Sequence, residues 1–304
     1  MRILNFGSLN IDYVYTVDHF VRPGETLSST SYEIFPGGKG ANQSTALALA
    51  GADVAHAGKI GRDGEWYRKR LADAGVDVTN LQVVDSASGH AIIQVNAQGE
   101  NAIILFGGAN QQVTAADADR VIPSFAKGDF LLLQNEISAI PAIMQRAAKQ
   151  GMRIVLNPAP MNAAVRTYPL HLVDTFVVNE IEGAELSGEK NPERVLDAML
   201  AAYPSAATVL TLGSQGVRYG KGEERFSAPA HKVKAVDTTA AGDTFIGYYL
   251  AELAAGRDIQ TALATGCKAA AICVTRKGAA SSIPARAEVC SWGGKSKIPS
   301  TKSQ

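Results

Sequence analysis

The 304-residue chain is short of several things, and each shortage removes a class of protein. Charge of neither sign is in excess: 29 Lys and Arg balance 29 Asp and Glu. That balance calls for neither a nucleic acid nor an anionic membrane as partner. No apolar run reaches the roughly 20 residues of a membrane span, and the N-terminus reads as a strand, Ile3–Phe6, rather than an export signal. Cysteine is scarce. Cys267, Cys273 and Cys290 are odd in number and lack metal-site spacing, so reduced, structural thiols in a cytoplasmic protein are expected. The five histidines (19, 56, 90, 171, 231) are scattered and read as structural or surface residues. Internal repeats are absent too. With 46% hydrophobic and 19% charged residues, what remains is an ordinary globular chain able to bury a sizeable core.

From Asp129 onward, short apolar runs alternate with helical patterns. FLLLQ (130–134), RIVLN (153–157), TFVVN (175–179) and TVLTLG (208–213) are separated by amphipathic stretches such as ISAIPAIMQRAAKQ. Such continuous runs are buried on both faces, which predicts an α/β fold with a doubly wound, mostly parallel sheet sandwiched by helices. Ligands of such sheets bind beyond the carboxyl ends of the strands, where Glu136, Asn157, Asn179 and Gly213 fall. The N-terminal part has another texture. Segments 13–17, 31–35, 90–95 and 102–106 read as strands, several alternating polar with apolar residues as a one-sided sheet would. Interleaving of these pieces predicts a single domain over 1–290, followed by a polar, fraying tail over 291–304.

The segment 236–245, VDTTAAGDTF, carries the most chemistry. Phe245, Ile246, Tyr249, Leu250 and Leu253 recur at helical spacing, so a helix begins near Ala241 or Gly242. Unpaired N–H groups at a helix start attract anions, and Ala240, Ala241 and Gly242 let a phosphate approach closely. Asp243 beside such a site is the arrangement that phosphoryl transfer to an alcohol needs. Locally, an Asp among small residues is equally a helix cap. A second segment, FPGGKGAN (35–42), pairs glycines that admit a ligand with the donors Lys39 and Asn42. Asn10 and Asp12, two apart after the first strand, face the same way, although N-x-D there is more often a turn. Asn179 and Glu182 share one helical face at a strand-to-helix junction, where an acid is either a helix charge or a water-mediated magnesium ligand. Glu180 competes for that role. TLGSQG (211–216) is a hairpin turn or a phosphate loop, without P-loop order. Gly58-Lys59-Ile60 is a near miss for a P-loop that lacks the hydroxyl.

GSLNID, FPGGKGAN, QNE (134–136), NPAP (157–160), NEIE (179–182), TLGSQG, VDTTAAGDTF and VTRKGAASSIP (274–284) resemble, in order and over nearly the whole chain, the ribokinase (phosphofructokinase-B) family of carbohydrate kinases. Within the family the likeness is to its ribose-phosphorylating members. The resemblance implies ATP-dependent phosphorylation of a sugar primary hydroxyl, first of all D-ribose to D-ribose 5-phosphate. The alternative keeps the chemistry and changes the acceptor to 2-deoxyribose, fructose, another sugar or a nucleoside. It implies Asp243 as general base with Ala241 and Gly242 as anion hole, and a sugar site of Asn10, Asp12, Gly38, Lys39, Asn42 and Glu136. ATP would lie against Asn179, Thr211, Gly213, Ser214, Gly216 and Gly242, with Mg2+ on Glu182 through water. A K+ activator would sit in a loop containing Asp237, Thr239, Cys273, Arg276, Gly278 and Ser282, held largely by backbone oxygens. The one-sided sheet, within about 12–35 and 89–107, is similar to the family's β lid, which implies a homodimer through it.

Two departures stand out: Ala240 where many relatives have Gly, and Cys267 where relatives often place a polar residue or His near adenine. A helix start should also lower the pKa of Asp243 and weaken it as a base. That weakness is tolerable because phosphoryl transfer rests more on positioning and charge stabilisation than on early proton removal. Two other classes are weighed. A nicotinamide-dependent dehydrogenase should show G-x-G-x-x-G after the first strand, which Gly7-Ser8-Leu9-Asn10 does not supply. A silent sugar-binding protein would be expected to lose the base or the anion turn, and both are present.

Overall fold

The computed structural model describes residues 1–293; positions 294–304, most of the expected tail, lie outside the described residues. Its strands are β1 (Ile3–Phe6), β2 (Asn10–Thr16), β3 (Ser31–Gly37), β4 (Val54–Gly61), β5 (Leu81–Val84), β6 (Gly89–Val95), β7 (Asn101–Phe106), β8 (Phe130–Gln134), β9 (Arg153–Asn157), β10 (Thr175–Asn179), β11 (Ala207–Thr211), β12 (Val217–Lys221) and β13 (Glu224–Ala228). The α-helices are α1 (Lys39–Leu49), α2 (Glu65–Asp73), α3 (Ala115–Val121), α4 (Ile140–Gln150), α5 (Glu180–Ser187), α6 (Val195–Ala202), α7 (Ala241–Ala254), α8 (Ile259–Cys273) and α9 (Arg286–Ser291).

Nine strands form one sheet in the order β13-β12-β11-β10-β9-β8-β1-β4-β5. Neighbours from β11 through β5 are parallel, and β12 and β13 add an antiparallel edge. Side-chain alternation sorts the apolar runs onto two faces. Ile3, Leu132, Val155, Val177 and Val209 pack with Leu47 of α1, Leu250 of α7 and Leu263 of α8. Leu4, Leu131, Leu133, Ile154 and Leu156 pack with Val121 of α3, Ile143 of α4 and Met199 of α6. This is the sandwich that strands buried on both faces require. The 208–213 run ends early, at Thr211, because the chain reverses there. Leu212 N–H donates to Gly216 O at 2.8 Å, across a turn with Gly213 at φ 53° and Gly216 at φ 97°.

A second sheet, β3-β2-β6-β7, comes from the four alternating N-terminal segments; β2 and β6 are parallel and the outer pairs antiparallel. Register gives it two distinct faces. Ile34, Tyr13, Ile92 and Ile104 form a row on one face, and Phe35, Asp12, Ala91 and Leu105 a row on the other.

Close packing brings α1 to the start of α7. Gly38, at φ 88°, turns the chain into α1, a conformation that a β-carbon would strain. Gly247 of α7 lies so close to Ala46 of α1 that a β-carbon there would collide with it. Among the described residues no helix is long and apolar enough to cross a membrane.

Candidate active site

The two helices start at the mouth of one cavity of about 450 Å³. Its walls are Asn10 and Asp12 of β2, Gly38, Lys39 and Asn42 at the head of α1, Glu136 beyond β8, and Thr238, Thr239, Ala240, Gly242 and Asp243 around the head of α7. Ala91, Ile93, Ile103 and Leu105, on one face of the small sheet, close it from above with an apolar wall. Every residue expected to hold the sugar therefore meets the expected base in a single space.

Charge in this space is concentrated and partly compensated. Burial, and then the charge of Glu136, pushes the Asp12 carboxyl up to about 7. Burial likewise raises Glu136, against a hydrogen bond from Ser8 Oγ, the charge of Lys39 and the Lys39 backbone N–H at 2.9 Å. For Lys39 burial pulls the pKa down, but Asp243, Glu136 and Glu182 together outweigh it and hold the ammonium charged. Burial raises the Asp243 pKa from its ordinary value, opposed by Lys39, Gln43 and Asn42. The net direction is upward, which makes Asp243 a better proton acceptor than an exposed Asp.

At the head of α7 the small residues take the conformation an anion site needs. Ala240 is left-handed, at φ 59°, which costs a non-glycine residue about 1 kcal/mol. Ala241 N–H is spent on Thr238 O at 3.2 Å, whereas the N–H groups of Gly242 and Asp243 meet no acceptor among the described residues. Asn42 Oδ1 is also buried without a partner, an acceptor left for a ligand hydroxyl.

The other expected residues lie along the carboxyl ends of β10 and β11. Asn179 caps α5: its Oδ1 accepts from Glu182 N–H at 2.8 Å, while the Glu182 carboxylate accepts from Asn179 N–H and Nδ2, both at 3.0 Å. Burial raises the Glu182 pKa, with the Asn179 N–H and Lys39 opposing. Thr211 Oγ1 donates to Val178 O at 3.3 Å, and Gly213, Ser214 and Gly216 shape the β11–β12 turn, where Gly213 and Ser214 are exposed.

Behind the head of α7, Asp237 Oδ1 accepts from Thr239 N–H at 2.9 Å and Oδ2 from Gly278 N–H at 3.0 Å. Cys273 Sγ lies 3.0 Å from Ser282 Oγ and 3.8 Å from Thr239 O. Arg276 does not join this group, since its guanidinium is taken by Glu288 of α9. No cluster of three or more His, Cys, Asp or Glu residues among the described residues could by itself hold a metal. All three cysteines are free, and burial pushes the Cys267 thiol up to about 12.

Several residues that matter here were missed by sequence reasoning. Asn110, buried after β7, donates from Nδ2 to Asn10 Oδ1 at 2.8 Å and to Leu9 O at 3.1 Å, so Asn10 presents its N–H₂ to the cavity. Gln43 Nε2 donates to Asp243 Oδ1 at 2.9 Å, and Gln134 Nε2 to Gln43 Oε1 at 2.6 Å. One signal was available for Gln43. Asn42, Gln43, Ser44 and Thr45 are four successive polar residues, all buried in a helix whose remaining residues are mostly small or apolar. Such a run needs tertiary partners.

The family model described as pfkB family carbohydrate kinase matches residues 2–286. A curated ribokinase of Haemophilus influenzae is 38% identical over 296 residues, covering 93% of this chain and 95% of its own. A deoxyribokinase of Salmonella typhimurium is 32% identical, covering 93% and 96%. Among solved structures, Arabidopsis thaliana ribokinase complexed with ribose and ATP superposes with a TM-score of 0.85 at 27% identity, covering 95% of this chain and 97% of that one.

Proposed function

The chain belongs to the pfkB family of carbohydrate kinases, and from that premise we propose that it transfers the γ-phosphoryl group of ATP to the primary hydroxyl of D-ribose, giving D-ribose 5-phosphate and ADP. The observation that carries this reading is the one cavity where the hydroxyl-binding set of Asn10, Asp12, Asn42 and Glu136 faces Asp243 and the head of α7. Asp12 and Glu136 accept hydrogen bonds from ring hydroxyls, Asn10 donates, and Gly38 and Lys39 complete the wall. Asp243 takes the proton of the primary hydroxyl as its oxygen attacks the γ-phosphorus, and the bridging oxygen leaves with ADP. The Ala241–Gly242 helix start supplies the anion hole, and Lys39 offsets the carboxylates around the transferred group.

ATP lies along Asn179, Thr211, Gly213, Ser214, Gly216 and Gly242. Glu182 would hold Mg2+ through water, which suits a carboxylate whose oxygens already accept from Asn179. When bound, Mg2+ neutralises phosphate charge. K+ would sit in the loop of Asp237, Thr239, Cys273, Gly278 and Ser282, held by backbone oxygens, and Arg276 would act there only through its main chain. Three free thiols favour a cytoplasmic setting.

The outer face of the lid sheet supports a homodimer. Tyr32, Ile34, Ile92, Ile104 and Phe106 are all exposed, an apolar patch that a second copy would cover. A second reading, favoured by the deoxyribokinase likeness, keeps every catalytic role and replaces ribose with 2-deoxyribose. ADP release measured across ribose, 2-deoxyribose, fructose and nucleosides separates the two.

A further inference from the structure

Asp243 is gripped from behind as well as facing the cavity. Both carboxylate oxygens accept an amide N–H from α1, Oδ2 from Asn42 at 3.1 Å and Oδ1 from Gln43 at 2.9 Å. Asn42 lines the cavity; Gln43 does not and is fully buried. A glutamine amide turned the other way would set its oxygen against the carboxylate, so something must fix its orientation.

A chain of buried side chains does so. Gln134 Nε2 donates to Gln43 Oε1 at 2.6 Å and to Asn5 Oδ1 at 3.0 Å. Asn5 turns its oxygen to Gln134 because its own Nδ2 donates to Gly40 O at 2.7 Å and to Ser44 Oγ at 2.8 Å. Ser44 Oγ lies 2.8 Å from His56 Nδ1, and His56 Nε2 lies 3.2 Å from Gly7 O. A carbonyl only accepts, so Nε2 carries the proton and Nδ1 accepts from Ser44. Burial, which lowers the His56 pKa to about 4, keeps that ring neutral. On the far side Asn157 Nδ2 donates to Val177 O at 3.0 Å, leaving its oxygen to accept from Gln43 at 3.2 Å. Each link leaves its neighbour one admissible orientation, and the last donor in the chain is the Gln43 N–H that meets Asp243.

We propose that Gln43, oriented by Gln134, is a positioning residue that fixes the plane of the Asp243 carboxylate for the acceptor hydroxyl. This rests on the reading of Asp243 as the base. Packing alone would not demand these residues. Apolar side chains of similar size would fill the space between α1 and β8 without desolvating amides, and Gln134 Oε1 is buried with no partner among the described residues. Positioning to within a fraction of an ångström is what a reaction driven by alignment requires.

The test compares Gln43→Met and Gln134→Leu in the native and Asp243→Asn backgrounds, reading kcat at saturating sugar and sugar affinity by calorimetry. Gln134→Leu leaves both donors to Asp243 in place, so it stands in if Gln43→Met fails to fold. Gln43→Met should lower kcat about tenfold to a hundredfold, as for one N–H lost from a charged acceptor. Gln134→Leu should lower it by a smaller factor of about threefold or more, because the Gln43 amide is then no longer held in one orientation. Sugar affinity should stay within about twofold, and neither substitution should lower the residual Asp243→Asn rate further. Native kcat in both variants, or the same fold loss in both backgrounds, overturns the positioning role. A native protein that turns over no acceptor overturns the kinase reading instead.

Discussion

Asn42 Nδ2 stands 3.1 Å from Asp243 Oδ2, joining residues 201 positions apart. This contact binds the two most informative segments of the sequence, 35–42 and 236–245, into one site. It also leaves Asn42 Oδ1 without a partner at the cavity wall, so one side chain both steadies the base and offers an acceptor to the substrate.

Asp243→Asn removes the proton acceptor and keeps the side-chain volume. Turnover should fall about 10²- to 10⁴-fold, the contribution of a positioned general base, while ribose binding by calorimetry changes little. Turnover close to native would remove Asp243 from the base role.

Asp12 makes sugar affinity depend on pH. Its carboxyl titrates near 7 in the folded protein against 3.8 unperturbed, so it loses its charge as pH falls through about 7. Affinity for the sugar should weaken below that pH, and a flat profile from pH 6 to 8 would contradict the assignment. The sign for stability follows by linkage. Because the folded state binds this proton more tightly, the stabilisation is full below 3.8 and is lost as pH rises through about 7. Asp12→Asn should therefore raise the thermal midpoint at pH 8 and not at pH 4, while lowering sugar affinity about tenfold or more.

Ile104 is 65% exposed on β7, the edge strand that ends the outer lid row. A lysine there should be tolerated by a monomer and not by a lid-to-lid pair. Light scattering is expected to give twice the chain mass for the native protein and the single-chain mass for Ile104→Lys. A native monomer would remove the lid interface.

How much of this was legible in the sequence depended on how local the signal was. The strands 130–134, 153–157 and 175–179 were readable because burial on both faces leaves an unbroken apolar run. The lid pieces were readable from their separate texture, and the helix start at Ala241 from spacing and small residues. The reversal after Thr211 was readable only as one of two alternatives, since TLGSQG suits a hairpin turn as well as a phosphate loop and an apolar run carries no sign of strand direction. Gln43, Gln134 and Asn110 escaped for another reason. Their partners lie 200, 91 and 100 residues away, and apart from the polar run 42–45 around Gln43 nothing local separates a buried amide from a surface one.

Cations should act at two separable places. Replacing K+ with a large organic cation at constant ionic strength should lower kcat several-fold through the Asp237–Gly278 loop, and an unchanged rate would sink that loop as a cation site. Glu182→Gln should instead raise the Mg2+ concentration needed for half-maximal rate. A native Mg2+ requirement would restrict Glu182 to capping α5.

The acceptor distinguishes a ribose kinase from other kinases of the same fold and chemistry. ADP release with ATP, Mg2+ and K+ should be measured across ribose, 2-deoxyribose, fructose, other simple sugars and nucleosides. Ribose is predicted to have much the highest kcat/KM. A higher value for any other acceptor would contradict ribose as the substrate while leaving the kinase chemistry in place, and no turnover with any acceptor would contradict both.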